Sequence, residues 1–182
     1  ENRLHFWTEV PFHYGLLFVL AGHILAFLFP GPLAFVIREP AGLFAIEALG
    51  LGFGLIALIG LSLVVVRRLT DSRVAITTTV MDWALYFLLF LQITSGMWVA
   101  VFRSWGSLWF TTTIAPYLQS IVKLNPAFGD VSLMPLMVKF HIVCGFFIIA
   151  VVPFSRLMHV LVAPVQYLFR QPQITRWYRD TK

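Results

Sequence analysis

Residues 134–162 read MPLMVKFHIVCGFFIIAVVPFSRLMHVLV, an apolar run carrying His141 and His159, with Lys139 and Arg156 as its basic groups. About 20 helical residues cross a hydrocarbon core, so this run is long enough to span and to tilt, with Pro153 as a place to bend. An imidazole is costly in hydrocarbon and is kept there with a partner, which makes each intramembrane histidine a functional candidate. From His141 to His159 is about five full turns, which sets both rings on one face of an unbroken helix.

Three further apolar runs precede it. The first extends from about Phe12 to Phe29 and is closed by Pro30-Gly31-Pro32; the second, from about Gly42 to Val66, stops at Arg67-Arg68; the third, from about Val80 to Phe102, ends at Arg103. His13 and His23 sit toward opposite ends of the first. Only 12% of the 182 residues are charged and 59% are hydrophobic, where a soluble domain carries about 25% charged residues. The expectation is an all-α integral membrane protein, a bundle of four transmembrane helices. The first run lacks a small-residue cleavage pattern, so it reads as a span rather than a signal peptide. The chain opens on Glu1, not Met, and is read as starting inside a longer protein.

The net charge of +5 comes from Lys and Arg at segment ends. It reads as membrane orientation and partner docking, with no nucleic-acid surface. The single cysteine, Cys144, excludes a disulfide framework, a Cys-based zinc site and covalent C-x-x-C-H haem attachment. If the first run crosses from inside to outside, Arg3, Arg67, Arg68, Arg73, Arg156, Arg170, Arg176, Arg179 and Lys182 fall inside. Arg38, Arg103, Lys123 and Lys139 then fall outside. This positive-inside bias puts the short Arg67–Thr79 loop and the tail from Pro164 in the cytoplasm, and the Arg103–Leu133 loop outside. Trp105, Trp109 and Tyr117 make part of that outer loop a candidate interfacial segment.

With this topology the first and last spans are antiparallel, so His13 lies opposite His159 near the inner face and His23 opposite His141 near the outer. The metal centre most often held by histidine pairs between membrane helices is haem, here non-covalent and therefore type b. The match is imperfect: the rise from His13 to His23 is about 15 Å against about 27 Å from His141 to His159. Two imidazoles per iron leave no open coordination position, which argues for electron relay rather than oxygen chemistry. Gly15, Gly22 and Gly145 have two readings, close approach of a porphyrin or close packing of helices. The run Gly50, Gly52, Gly54 and Gly60 has the same two.

Several other residues carry expectations. Glu47 marks a proton pathway or, more ordinarily, is protonated or paired with Arg38 or Arg103. Asp82, in the first turn of the third span, is a helix cap. Arg67, Arg68, Arg73 and Arg156 either pair with the inner haem's propionates or anchor the inner face. Gln92, Thr94 and Ser95 face the bundle. His5, ahead of the first span, reads as a surface residue.

The stretch Phe12-His13-Tyr14-Gly15 with Gly22-His23 resembles the second helix of the gamma subunit of respiratory membrane-bound nitrate reductase. Arg67-Arg68, Arg73-Val74 and Thr77-Thr78-Thr79 are similar to that family's cytoplasmic loop. So is Phe140-His141 leading to Pro153-Phe154-Ser155-Arg156-Leu157 and His159, then Pro164-Val165 and Tyr167-Leu168. The resemblance covers nearly the whole chain. It implies a dihaem cytochrome b in a prokaryotic cell (inner) membrane, multi-pass, with a cytoplasmic C-terminus. Residues 1–163 form the transmembrane dihaem domain and 164–182 a cytoplasmic basic tail. By the resemblance, His23 and His141 hold the distal haem b and His13 and His159 the proximal one. Quinol from the quinone pool is oxidised near the outer face, and electrons pass to an iron–sulfur beta subunit and a molybdenum alpha subunit on the cytoplasmic side. Nitrate is reduced on that other subunit.

The family usually has five membrane helices, and this chain begins near the second. The lysine of the family's quinol site has no counterpart in Arg38-Glu39-Pro40-Ala41-Gly42-Leu43, so Arg38 is the candidate donor to the quinone oxygen. Alternatives are the same role in a nitrite-oxidising, sulfur-compound or other reductase complex, and, from another class, a histidine-lined metal transporter. The transporter needs mid-membrane carboxylates that the first, third and last runs lack.

Overall fold

The structure is a computed structural model that describes residues 2–103 and 106–155. Four helices are long and apolar enough to cross a membrane: Glu9–Leu28, Pro40–Thr70, Val80–Phe102 and Leu136–Phe154. The chain is an all-α membrane protein, as its composition requires. In order, its helices are α1 (Asn2–Leu28), α2 (Pro30–Val36), α3 (Pro40–Thr70), α4 (Ser72–Ala75), α5 (Val80–Phe102), α6 (Gly106–Trp109), α7 (Ala115–Val122), α8 (Gly129–Ser132) and α9 (Leu136–Val151). A π-helical stretch, Phe110–Ile114, joins α6 to α7, and a 3-10 turn, Val152–Phe154, follows α9.

Local sequence sets the helix ends. Prolines open α2 and α3, where the missing N–H costs nothing. Arg67 and Arg68 occupy the last turn of α3, where cations complement exposed carbonyls. Asp71 then caps α4, its side chain accepting from the Arg73 N–H. At α5, Thr79 and Asp82 form a reciprocal capping box: the Asp82 carboxylate accepts from the Thr79 N–H at 2.8 Å, and the Thr79 hydroxyl accepts from the Asp82 N–H at 3.2 Å. The expected cap is present, and Asp82 is buried in making it.

Pro153 lies in the turn where α9 ends. The α-helix stops at Val151, tightens into the 3-10 turn and gives way at Ser155 to extended backbone (φ −113°, ψ 167°). The five-turn register from His141 to His159 assumed an unbroken helix, so that argument fails at Ser155. His159, Arg156 and the 164–182 tail lie outside the described residues.

Backbone packing runs in the order α1, α3, α5, α9. Gly15 and Gly60 bring α1 and α3 together: a Cβ on Gly15 would stand 2.6 Å from the Ala57 nitrogen, and one on Gly60 would run into the Phe12 backbone. Small residues at such contacts let helix backbones meet where lipid supplies no hydrophobic drive. For Gly15 and Gly60 the packing reading therefore holds. Phe12, Leu61, Leu85 and Leu89 form the core, with Leu16, Val65, Tyr86, Ile93 and Ile148 packed around it. Large side chains such as Phe44, Phe87 and Ile149 point outward, as a lipid-facing surface requires.

The long loop after α5 is more ordered than its sequence suggested. Thr111, Ile114 and Ala115 are buried, and the Gln119 side-chain amide donates to the Phe27 carbonyl at 2.9 Å. The segment packs on α1, α2 and α3 and covers the end of the bundle where α1 finishes and α3 begins.

Candidate cofactor site between the first span and α9

α1 and α9 are the two ends of the packed row, and they meet through side chains. The ring centres of His23, on α1, and His141, on α9, are 6.3 Å apart with the planes tilted by 42°. A metal–imidazole bond is about 2 Å long and the bonded nitrogen lies about 1 Å from the ring centre, so two imidazoles on opposite sides of one metal have centres about 6 Å apart. The observed spacing is of that order, with the His141 Nε2 turned toward the Gln92 amide of α5.

Hydrogen bonding at Nδ1 sets the tautomer of each ring. A carbonyl oxygen only accepts, so the Nδ1–H of His23 donates to the Val19 carbonyl at 2.8 Å, and that of His13 to the Glu9 carbonyl at 2.7 Å. The Ser95 hydroxyl donates to the Gln92 carbonyl at 3.0 Å and has a lone pair left for the Nδ1–H of His141 at 2.9 Å. Each neutral ring then keeps its lone pair on Nε2. Tying down one ring nitrogen in this way selects the tautomer and raises the basicity of the other as a ligand.

The Nε2 of His141 accepts from the Gln92 side-chain amide at 3.1 Å, while the Gln92 Oε1 is buried without a hydrogen-bond partner among the described residues. Gly96 gives the ring its place: a Cβ there would stand 2.9 Å from the His141 Cε1. Gly145, one turn past His141, lies against the Gln92 amide, 3.5 Å from where its Cβ would be. Among the described residues no neighbour lies within 4 Å of a Cβ built on Gly22, Gly50 or Gly52. Phe110, the first residue of the π-helical stretch, sets its ring edge-on to His23 at 5.6 Å.

Among the described residues, no three His, Cys, Asp or Glu side chains converge as a metal cage. A macrocyclic ligand supplies the equatorial donors itself, so a two-histidine axial pair suits such a group better than a bare ion. His13 lies two to three turns below His23 on the same helix; its expected partner, His159, is outside the described residues.

The sequence-predicted residues divide as follows. His23 and His141 come together. Gln92 and Ser95 face the bundle as expected and touch His141, whereas Thr94 bonds to the Phe90 carbonyl of its own helix at 2.6 Å. Arg38 is exposed in the short link between α2 and α3. Glu47 departs from expectation: in place of Arg38 or Arg103, its carboxylate accepts from the Ser107 N–H at 2.8 Å and hydroxyl at 2.7 Å. Arg103 lies over the Trp98 ring. Arg67 pairs with Glu9 at 3.4 Å, one turn from His13, and Arg68 donates to the Thr78 hydroxyl at 2.9 Å and covers the Tyr86 ring. Gly96 and Phe110 were missed. The Ser95-Gly96 pair in the middle of an apolar span was the available signal for the first, and nothing local marked the second.

Comparison with known proteins places the chain. It is 34% identical over 169 residues to the nitrate reductase gamma chain of Bacillus subtilis (strain 168), covering 91% of this chain and 75% of that one. It is 30% identical over 174 residues to the respiratory nitrate reductase 1 gamma chain of Escherichia coli (strain K12), covering 91% and 75%. One component of the dihydromethanophenazine:CoB--CoM heterodisulfide reductase of Methanosarcina thermophila is also similar, 33% identical over 118 residues that cover 64% of this chain and 38% of that one. The nitrate reductase gamma subunit family model matches residues 1–178, and the chain belongs to that family.

Proposed function

We propose that this membrane component of a reductase complex oxidises quinol near the outer face and passes the electrons through two b-type haems to a cytoplasmic iron–sulfur subunit. From there they reach a molybdenum subunit that reduces nitrate. His23 and His141 would hold the outer haem, and His13 and His159 the inner. The observation that carries the reading is the spacing of the His23 and His141 rings, with each Nδ1 tied down so that Nε2 has the lone pair. Bis-imidazole haem iron has no open coordination position and supplies one-electron relay.

The chain's own residues do the rest. Val19 and Ser95 hold the outer histidines in the ligating tautomer, and Glu9 does so for His13. Arg67, fixed by Glu9, stands near His13 as a partner for propionate, and Arg156 is assigned the same task. Arg38, exposed before α3, is assigned as the donor to the quinone oxygen, and the quinol protons leave on the outer side. Excess positive charge on the loop and tail supports a cytoplasmic C-terminus, on the side assigned to the partner subunits. The similarity to a heterodisulfide reductase component supports a second reading, the same relay in another reductase complex.

Pyridine haemochrome analysis with redox titration of the purified complex tests this. Two b haems per chain are expected, and His141→Ala should remove the outer one and abolish quinol-dependent reduction. A His141→Ala protein that kept both haems and normal quinol oxidation would sink the ligand assignment.

A further inference from the structure

We infer that Ser95 is a positioning residue for His141: its hydroxyl accepts the ring's Nδ1–H, fixes Nε2 as the ligating atom and sets the reduction potential of the iron bound there. This rests on the haem reading above. Three observations on α5 carry it. The Ser95 proton is committed to the Gln92 carbonyl at 3.0 Å, which leaves the hydroxyl an acceptor toward His141 at 2.9 Å. Gly96, the next residue, leaves room for the ring against the helix backbone, so the imidazole is clamped where the Ser95 lone pair points. The Gln92 amide donates to Nε2 at 3.1 Å, which identifies that nitrogen as the one with the lone pair.

That amide is the group the metal displaces. Among the described residues its own Oε1 is buried with no partner, and an amide held through one of its two polar ends is a weak occupant. Ser95 stays when Gln92 leaves, because it bonds the other ring nitrogen, Nδ1. An acceptor on Nδ1–H makes Nε2 a stronger donor to iron. A stronger donor favours the ferric state, so losing the acceptor raises the potential.

The test is a redox titration of the purified complex, with haem content and low-temperature EPR of the ferric form. Ser95→Ala is expected to retain both haems, move the outer haem to higher potential and change its EPR g-values, leaving the inner haem unaltered. Ser95→Thr, which keeps the hydroxyl, should restore both values. An unshifted potential in Ser95→Ala, or an equal shift in Ser95→Thr, overturns the assignment. Should Ser95→Ala not assemble, Ser95→Cys, close in size and a poorer acceptor, must show the upward shift; a native potential there overturns it as well. A wild-type complex with no b haem would instead defeat the functional reading, so the two failures are distinct.

Discussion

Gly96 and His141 are in direct contact: a Cβ on the glycine would stand 2.9 Å from the imidazole Cε1. The contact joins α5 to α9 at the level of the candidate site, and it places the ring between a helix backbone and His23. A side chain at position 96 has to push the ring away, and the distance to His23 changes with it.

Gly96→Val is therefore expected to empty the outer site, halving the haem content of the purified complex. Gly96→Ala should give a graded effect, with the haem retained and its spectrum altered. Haem-to-protein ratios on both variants decide the matter. Native content and spectrum in Gly96→Val would mean that the ring does not use this space.

Gly60 makes the comparable approach on the other side of the bundle, against the backbone of Phe12, where the neighbour is main chain with no rotamer to change. Overpacking costs about 1–3 kcal/mol in a well-packed core and more where backbone has to move. Gly60→Leu should separate α1 from α3, lower the thermal stability of the detergent-solubilised protein and disturb His13, which neighbours Phe12. Gly52→Leu, at an open position on the same helix, should leave the melting temperature close to native.

The spans were legible because lipid imposes a long apolar run that few other demands can produce. The approach of His23 to His141 was legible too, through charge-derived topology, antiparallel order and depth. What the sequence did not disclose depends on distant contacts. Gly15 and Gly145 look alike in the primary structure, yet one packs on the α3 backbone and the other lies beside the Gln92 amide. Glu47 was matched with arginines by charge, whereas α6 folds back and brings Ser107 to it. At the end of the last span the backbone leaves α-helical geometry over Val152–Ser155, around the proline that marked a place to bend, and His159 lies beyond the described residues.

The capping box at α5 carries a cost that can be measured. Asp82 is buried, and its carboxylate accepts both the Thr79 N–H at 2.8 Å and the Thr79 hydroxyl at 3.0 Å. Loss of an N-cap destabilises by about 0.5–2 kcal/mol. Thr79→Ala should lie within that range, and Asp82→Ala at its upper end or beyond, since it also leaves a cavity. Denaturant titration in detergent micelles gives the comparison, and equal native stability in both variants would show the cap to be dispensable.

Leu124 offers the opposite test, a substitution expected to stabilise. It follows the end of α7 with φ at 57°, the one left-handed non-glycine residue among those described, and its side chain is 91% exposed. The turn is held by the Asn125 N–H donating to the Ser120 carbonyl at 3.0 Å and the Leu124 N–H to the Ile121 carbonyl at 2.9 Å. Glycine is favoured at such a helix terminus, and a Cβ there costs about 1 kcal/mol. Leu124→Gly keeps both hydrogen bonds and removes the clash, so the protein should gain about 1 kcal/mol, less what the freer unfolded chain takes back. Leu124→Val, β-branched, should be less stable than the native protein. If the valine variant melts with or above the native chain, the side chain at 124 is held by an apolar contact, such as lipid, that outweighs the backbone cost.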